Sequence, residues 1–188
     1  MPNPSLHVPF ELNTGRPTQI GLVVLQSDET IEQDMRRLIP SSAELLVSRV
    51  PSGAHVTPDS LAAMESELSR AAALFPLGAQ CSTIGYGCTS GTAQIGYDRV
   101  AEMIRAGKPT PYVTEPVSAL IAACHHLGLG RIGLLSPYIA SVSERLRSVL
   151  LTEGIDVTAF ASFNESAEDK VSLIAPSSIV SAAQALAA

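Results

Sequence analysis

The chain has 188 residues, 46% of them hydrophobic, and a net charge of −6, which suits one domain or two small lobes with a sizeable core. Its lysines are Lys108 and Lys170, no basic stripe appears and Trp is absent, so a nucleic-acid partner is not expected. No apolar run approaches the roughly 20 residues of a membrane span, so no membrane partner is expected either.

Residues 1–18, rich in Pro, Asn and Thr, read as an N-terminal arm. The opening Met1-Pro2-Asn3-Pro4 is not the pattern of a secretory signal. Ile20 to Leu25 is an apolar run of the kind found in buried parallel strands. Asp28 is placed to cap a helix that carries Ile31, Met35, Leu38 and Ile39 on one face and ends before Pro40. Leu45 to Val50 reads as a second strand. Thr57-Pro58 is a cap followed by a first-turn proline, opening a helix that points Leu61, Met64, Leu68 and Phe75 inward. Cys81 to Gly85 is a third strand, followed by the Cys88 loop and a helix over about 93–106 that Gly107 ends.

Thr110 to Val113 reads as a short strand, and Thr114 as the cap of a helix reaching about Leu127. Ile132 to Leu135 is a further buried strand, with Ser136-Pro137-Tyr138 as the turn beyond it. Ser141 and Glu144 have the spacing of a capping box, opening a helix that buries Val142, Leu146, Val149 and Leu150 and ends at Gly154. Asp156 to Phe160 is a strand, and Ser162-Phe163-Asn164-Glu165 a loop at its carboxyl end. Two short helical stretches follow, the last from about Ser177 to Ala188.

This βαβα alternation predicts an α/β fold of parallel sheets flanked by helices. Ligands bind such sheets beyond the carboxyl ends of the strands. The candidate loops are therefore 26–30, 50–57, 85–92, 136–138 and 162–165. A weak internal repeat is visible: Ile20-Gly21-Leu22-Val23 resembles Ile132-Gly133-Leu134-Leu135, each followed by a polar loop, a helix and a strand. Carried through, the repeat sets the counterpart of the Cys88 loop beyond Ala188. The expectation is an arm over 1–18, a first lobe over 19–113, and a second lobe over 114–188 that is incomplete in this chain.

The stretch Gly85-Tyr86-Gly87-Cys88-Thr89-Ser90-Gly91-Thr92 is the most informative chemically. A strand-to-helix turn presents free N–H groups and a partial positive charge. That end binds anions and favours a thiolate. Thr89 and Ser90 add hydroxyls that would grip a carboxylate and take up charge as its neighbouring carbon becomes an enediolate. The thiolate would move a proton or add to an activated double bond, with no metal or organic cofactor. The loop lacks the Lys of a P-loop and the spacing of a dinucleotide fingerprint.

The chain resembles the aspartate/glutamate racemase superfamily, in the branch of maleate cis–trans isomerase and arylmalonate decarboxylase. The resemblance rests on the run from Ile20 to Thr30, on Gly87-Cys88-Thr89-Ser90, on Leu135-Ser136-Pro137-Tyr138 and on Ser162-Phe163-Asn164. It implies two pseudo-symmetric Rossmann-like lobes with the site between them. Cys88 then matches the first-lobe catalytic cysteine. Thr89, Ser90 and Tyr138 match carboxylate-binding positions, and Asn164 a substrate-binding asparagine. Asp28 falls where the isomerases carry asparagine. The decarboxylases usually have glycine at the Cys88 position, so the resemblance implies an isomerase or racemase of a small carboxylate. The alternatives are an arylmalonate-type decarboxylase, or a truncated, non-catalytic carboxylate-binding or assembly module. A cytoplasmic homo-oligomer without cofactor is expected.

Plainer roles stand beside these. Cys81 opens an apolar strand and Cys124 lies within a helix, so both read as structural; the three cysteines show no metal or disulfide spacing. His125 and His126 suit a helix C-terminus. Asp28 is a competent helix cap, Asn164 fits an Asx turn, and Thr89 and Ser90 suit caps that also bind ligand.

Overall fold

The computed structural model describes residues 7–187; the expected arm over 1–18 lies partly outside them, as does Ala188. The chain forms β1 (Thr18–Leu25), α1 (Ile31–Leu38), β2 (Ala43–Val50), α2 (Pro58–Ala63), α3 (Glu65–Ala73), β3 (Cys81–Tyr86), α4 (Thr89–Ile95), α5 (Tyr97–Gly107), β4 (Tyr112–Thr114) and α6 (Pro116–His126). There follow β5 (Arg131–Tyr138), α7 (Ala140–Thr152), β6 (Asp156–Glu165), α8 (Glu168–Ser172) and α9 (Pro176–Ala187). The strands form a four-stranded sheet in the order β2-β1-β3-β4 and a two-stranded sheet of β5 and β6. All these pairings are parallel.

The central place of β1 follows from its sequence. Leu22, Val23 and Val24 are buried on both faces, so the strand is apolar without alternation. The largest core cluster in sequence span joins Val23, Ile84 and Tyr86 of the sheet to Leu61, Met64, Leu68 and Phe75, with Val100 and Ile104 of α5 closing it. A second core packs Val117, Ile121 and Cys124 of α6 against Leu146 and Leu150 of α7, with Ile155 and Val157 beneath. Cys88 belongs to the first cluster and Ala93 to the second, so the short helix α4 bridges the two. Arg145 of α7 strengthens that bridge by donating from Nε to the Ala93 carbonyl at 2.9 Å.

Several local expectations change. The helix opened by Thr57 breaks at Met64 into α2 and α3, although the Thr57–Ser60 capping box forms. The helix expected over 93–106 begins earlier, at Thr89, and is interrupted at Gly96, whose φ of 99° suits glycine. Glu115, not Thr114, caps α6: its carboxylate accepts the Val117 and Ser118 N–H groups at 2.7 and 3.0 Å. The Ser141–Glu144 capping box does not form, because α7 starts after Ile139 and Glu144 pairs with Arg147 at 3.0 Å. Residues 136–138 and 162–165, read as turn and loop, are the ends of β5 and β6. Their parallel pairing across a register shift extends both strands past the apolar runs.

Candidate functional site

The carboxyl ends of β1, β3, β5 and β6 point to one region. Gly87 continues β3 by donating to the Val23 carbonyl at 2.8 Å, and Cys88 then takes the extended N-cap position of α4. Its sulfur accepts the Gly91 N–H at 3.2 Å, as a cap oxygen would. The Ser90 hydroxyl lies 3.7 Å from the same sulfur. Tyr138, at the end of β5, sets its phenol beside Ser90, so the two sheets converge on this thiol. Ser162 of β6 holds that strand end in place by donating to the Tyr138 carbonyl at 2.5 Å.

Burial dominates the electrostatics. Cys88 is 4% exposed, which pushes its thiol up. The Gly91 N–H and the Ser90 and Tyr86 hydroxyls pull it back in part, while Glu168 opposes them. Desolvation thus acts against the thiolate that the start of α4 favours. Tyr138 is pushed up to about 12, first by burial and then by Cys88, against the lowering effect of Ser90. Tyr86 is driven far up by burial and by its neighbour Cys88.

The other expected residues are placed as follows. Thr89 is half-buried at the first position of α4. The Asp28 Oδ1 accepts the Thr30 and Ile31 N–H groups, each at 2.9 Å, which caps the start of α1. Asn164 is exposed near the end of β6 with a φ of 53°, and its N–H donates to the Ser162 hydroxyl at 2.9 Å. Cys81 and Cys124 are buried in the cores. His125 Nε2 lies 3.0 Å from the Glu153 carbonyl.

Two residues were not foreseen. Tyr86 faces the thiol from within the core; its place two residues before Cys88 in the strand was the available signal. Glu168, the first residue of α8, is half-buried and receives the Ser27 hydroxyl at 3.2 Å. Burial, and then Asp28, push its carboxyl up, against the Ser27 hydrogen bond. It reaches the site because the segment after β6 pairs with the loop after β2. Val56 donates to the Ser166 carbonyl at 2.8 Å and Glu168 to the Ala54 carbonyl at 3.1 Å, flanking an antiparallel bridge between His55 and Ala167. No local pattern announces such a pairing.

A cleft of about 570 Å³ beside this seam is lined by Ser27, Ser52, His55 and Glu168. An apolar cavity of about 780 Å³ lies against β5, between Leu135, Phe163, Leu173 and Ile179, and includes none of Cys88, Ser90 or Tyr138. Nor do Cys88, Ser90 and Tyr138 line the cleft beside the seam, which adjoins the thiol's surroundings through Glu168. Among the described residues no group of three His, Cys, Asp or Glu is disposed to hold a metal ion, and no helix is long and apolar enough to cross a membrane.

No protein-family profile matches the chain. It is 26% identical over 178 residues to the maleate isomerase of Nocardia farcinica, covering 89% of this chain and 70% of that one. It is 24% identical over 158 residues to the maleate isomerase of Geobacillus stearothermophilus, covering 74% of this chain and 61% of that one. The chain thus spans between three-fifths and seven-tenths of the length of these relatives. Its fold matches a cysteine-to-serine mutant of the Nocardia farcinica maleate cis–trans isomerase with a covalently bound succinylcysteine intermediate. That match has a TM-score of 0.78 and 24% identity over 90% of this chain and 73% of that one. A liganded double mutant of arylmalonate decarboxylase matches with a TM-score of 0.69 and 22% identity, covering 87% of this chain and 69% of that one.

Proposed function

We propose that this chain, which belongs to the maleate isomerase and arylmalonate decarboxylase branch of the aspartate/glutamate racemase superfamily, is a cofactor-independent isomerase or racemase of small carboxylates that works through Cys88. One observation carries the reading. A buried cysteine caps α4, the Ser90 hydroxyl lies 3.7 Å from its sulfur, and the Tyr138 phenol at the end of β5 lies beside Ser90. The succinylcysteine intermediate of the Nocardia relative supports a covalent role for a thiol in this branch.

For an unsaturated diacid such as maleate, the Cys88 thiol first gives its proton to solvent, and the ionised sulfur then forms a bond to one olefinic carbon. The π electrons move onto the other carbon and into its carboxylate, giving an enediolate. The hydroxyls of Thr89, Ser90 and Tyr138 and the free N–H groups of α4 hold that charge. The bond between the two carbons is now single and rotates. The electrons return, the S–C bond breaks, and the trans diacid leaves with the thiolate restored. In a racemase the same thiolate would instead take the proton beside the carboxylate. Sulfur and substrate carry every electron pair, so no cofactor enters.

Asn164 and Asp28 are assigned to the same site as substrate contacts. The assignment asks Asp28 to keep capping α1 with one oxygen and to offer the other. The division into an arm over 1–18, a first lobe over 19–113 and a second over 114–188 belongs to this reading, and the two separate sheets support it. So does a cytoplasmic home, for which three unpaired, buried cysteines speak. Self-association is part of it too, with exposed Phe10, Leu12 and Leu77 as its support.

The test is proton NMR in D₂O on the purified chain with maleate and a panel of small carboxylates. Isomerisation or deuterium exchange that disappears in Cys88→Ser is the expected result. Turnover that persists in Cys88→Ser overturns the assignment.

A further inference from the structure

We infer that Tyr86 is the positioning residue of this site: its hydroxyl donates to the Cys88 sulfur from the core side and so makes a thiolate attainable there. The inference rests on the reading of Cys88 as the reactive thiol. It starts from a hydroxyl that is poorly satisfied. Tyr86 is 1% exposed, and its O–H donates to the Met64 sulfur at 3.8 Å. A thioether is a weak acceptor, and a buried hydroxyl normally finds a better one.

The better acceptor is adjacent. A Cβ placed on Gly91 would lie 2.6 Å from the Tyr86 oxygen, 2.9 Å from the Cys88 sulfur and 3.0 Å from the Met64 terminal methyl. The three groups therefore crowd round one point above Gly91. While Cys88 is a thiol its sulfur is a poor acceptor, and the hydroxyl stays with Met64. When the sulfur becomes anionic it becomes the strongest acceptor within reach. The exchange needs the O–H to turn from Met64 and the two neighbouring side chains to close on each other around Gly91.

The remaining donors show why this one matters. The Gly91 N–H is fixed by the helix cap and is already given at rest. Ser90 lies between Cys88 and Tyr138, on the side where a carboxylate would sit, so a ligand competes for it. Tyr86 alone of the three hydroxyls approaches from the packed core, beside Met64 and Leu61. The titratable groups that face the sulfur are Tyr86, Tyr138 and Glu168, and the last works against ionisation.

The test is the pH profile of Cys88 alkylation by iodoacetamide, read peptide by peptide by mass spectrometry so that Cys81 and Cys124 serve as internal controls. In Tyr86→Phe the Cys88 midpoint is expected to rise by about one to two pH units, the effect of one hydrogen bond to a charged acceptor. A merely loosened core would instead speed Cys88 and Cys81 together without raising the midpoint. In Met64→Leu, which removes the competing acceptor at similar volume, the Cys88 midpoint is expected to fall. An unmoved or lowered midpoint in Tyr86→Phe overturns the inference. If that variant does not fold, an unmoved or raised midpoint in Met64→Leu does so. Activity persisting in Cys88→Ser would sink the proposed function whatever these profiles show; activity lost there with unmoved profiles sinks this inference alone.

Discussion

Ser90→Ala isolates the part of the site that ties the two sheets together. Ser90 is 4% exposed, so no bulk water replaces its hydroxyl once it is gone. The hydroxyl serves the Cys88 sulfur at 3.7 Å and lies against the Tyr138 phenol. In the reaction proposed above, both neighbours handle negative charge, so the lost bond is one to a charged group, about 1.5–3 kcal/mol. That corresponds to a fall in kcat/KM of about 10- to 150-fold. The fold should survive, because alanine is the better helix former at the second position of α4. The assay is steady-state isomerisation of the best carboxylate of the panel, with Cys88→Ser as the floor and a urea melt as the folding control. Tyr138→Phe completes a double-mutant cycle. Because Ser90 and Tyr138 share one charge, the double variant should lose less than the product of the two single losses. A loss below threefold in Ser90→Ala, with effects that simply multiply, would refute the shared-hydroxyl geometry.

Gly107→Ala tests the packing that holds β3 and its loop. An added Cβ would lie 2.0 Å from the Ser69 carbonyl oxygen and 2.9 Å from the Ala72 Cβ, so α3 and α5 must separate. A cost of about 3 kcal/mol, or a Tm lower by about 6–12 °C, is expected, and an unchanged Tm in a thermal melt would contradict the close approach. Glu168→Gln has a pH signature. Burial raises the Glu168 carboxyl in the folded protein, so its contribution is fully present below the unfolded value and is lost as pH rises through the folded one. Urea midpoints of wild type and Glu168→Gln should therefore agree near pH 4 and diverge at neutral pH in favour of Gln. A difference independent of pH would show that Glu168 is not held in a desolvated place.

Strands and helices were legible wherever one apolar period ran long enough. The run from Ile20 to Leu25 could only be buried on both faces, and it became the central strand. Short polar stretches are not legible where tertiary pairing outweighs turn chemistry. Residues 136–138 and 162–165 look like turns one at a time, yet β5 and β6 carry each other through them. Capping residues were confused where two candidates stood side by side, as with Thr114 and Glu115, because only the direction of the entering chain decides which side chain meets the free N–H groups. Of the expected site residues, Cys88, Ser90 and Tyr138 come together, while Asn164 is exposed and Asp28 caps α1.

The amino-acid order alone determined that a cysteine and two hydroxyl residues would follow a buried strand and open a helix. Strand and turn are local properties that the run from Gly85 to Thr92 shows, although α4 begins at Thr89, ahead of the helix expected from about 93. Tertiary structure decided the state of that cysteine. Its donors, Gly91, Ser90 and Tyr86, are near it in the chain, but the burial that opposes ionisation and the Glu168 carboxyl come from elements far from it. The helix end that favours a thiolate is readable in sequence; the desolvation that opposes it is not, because burial is a property of the packed whole.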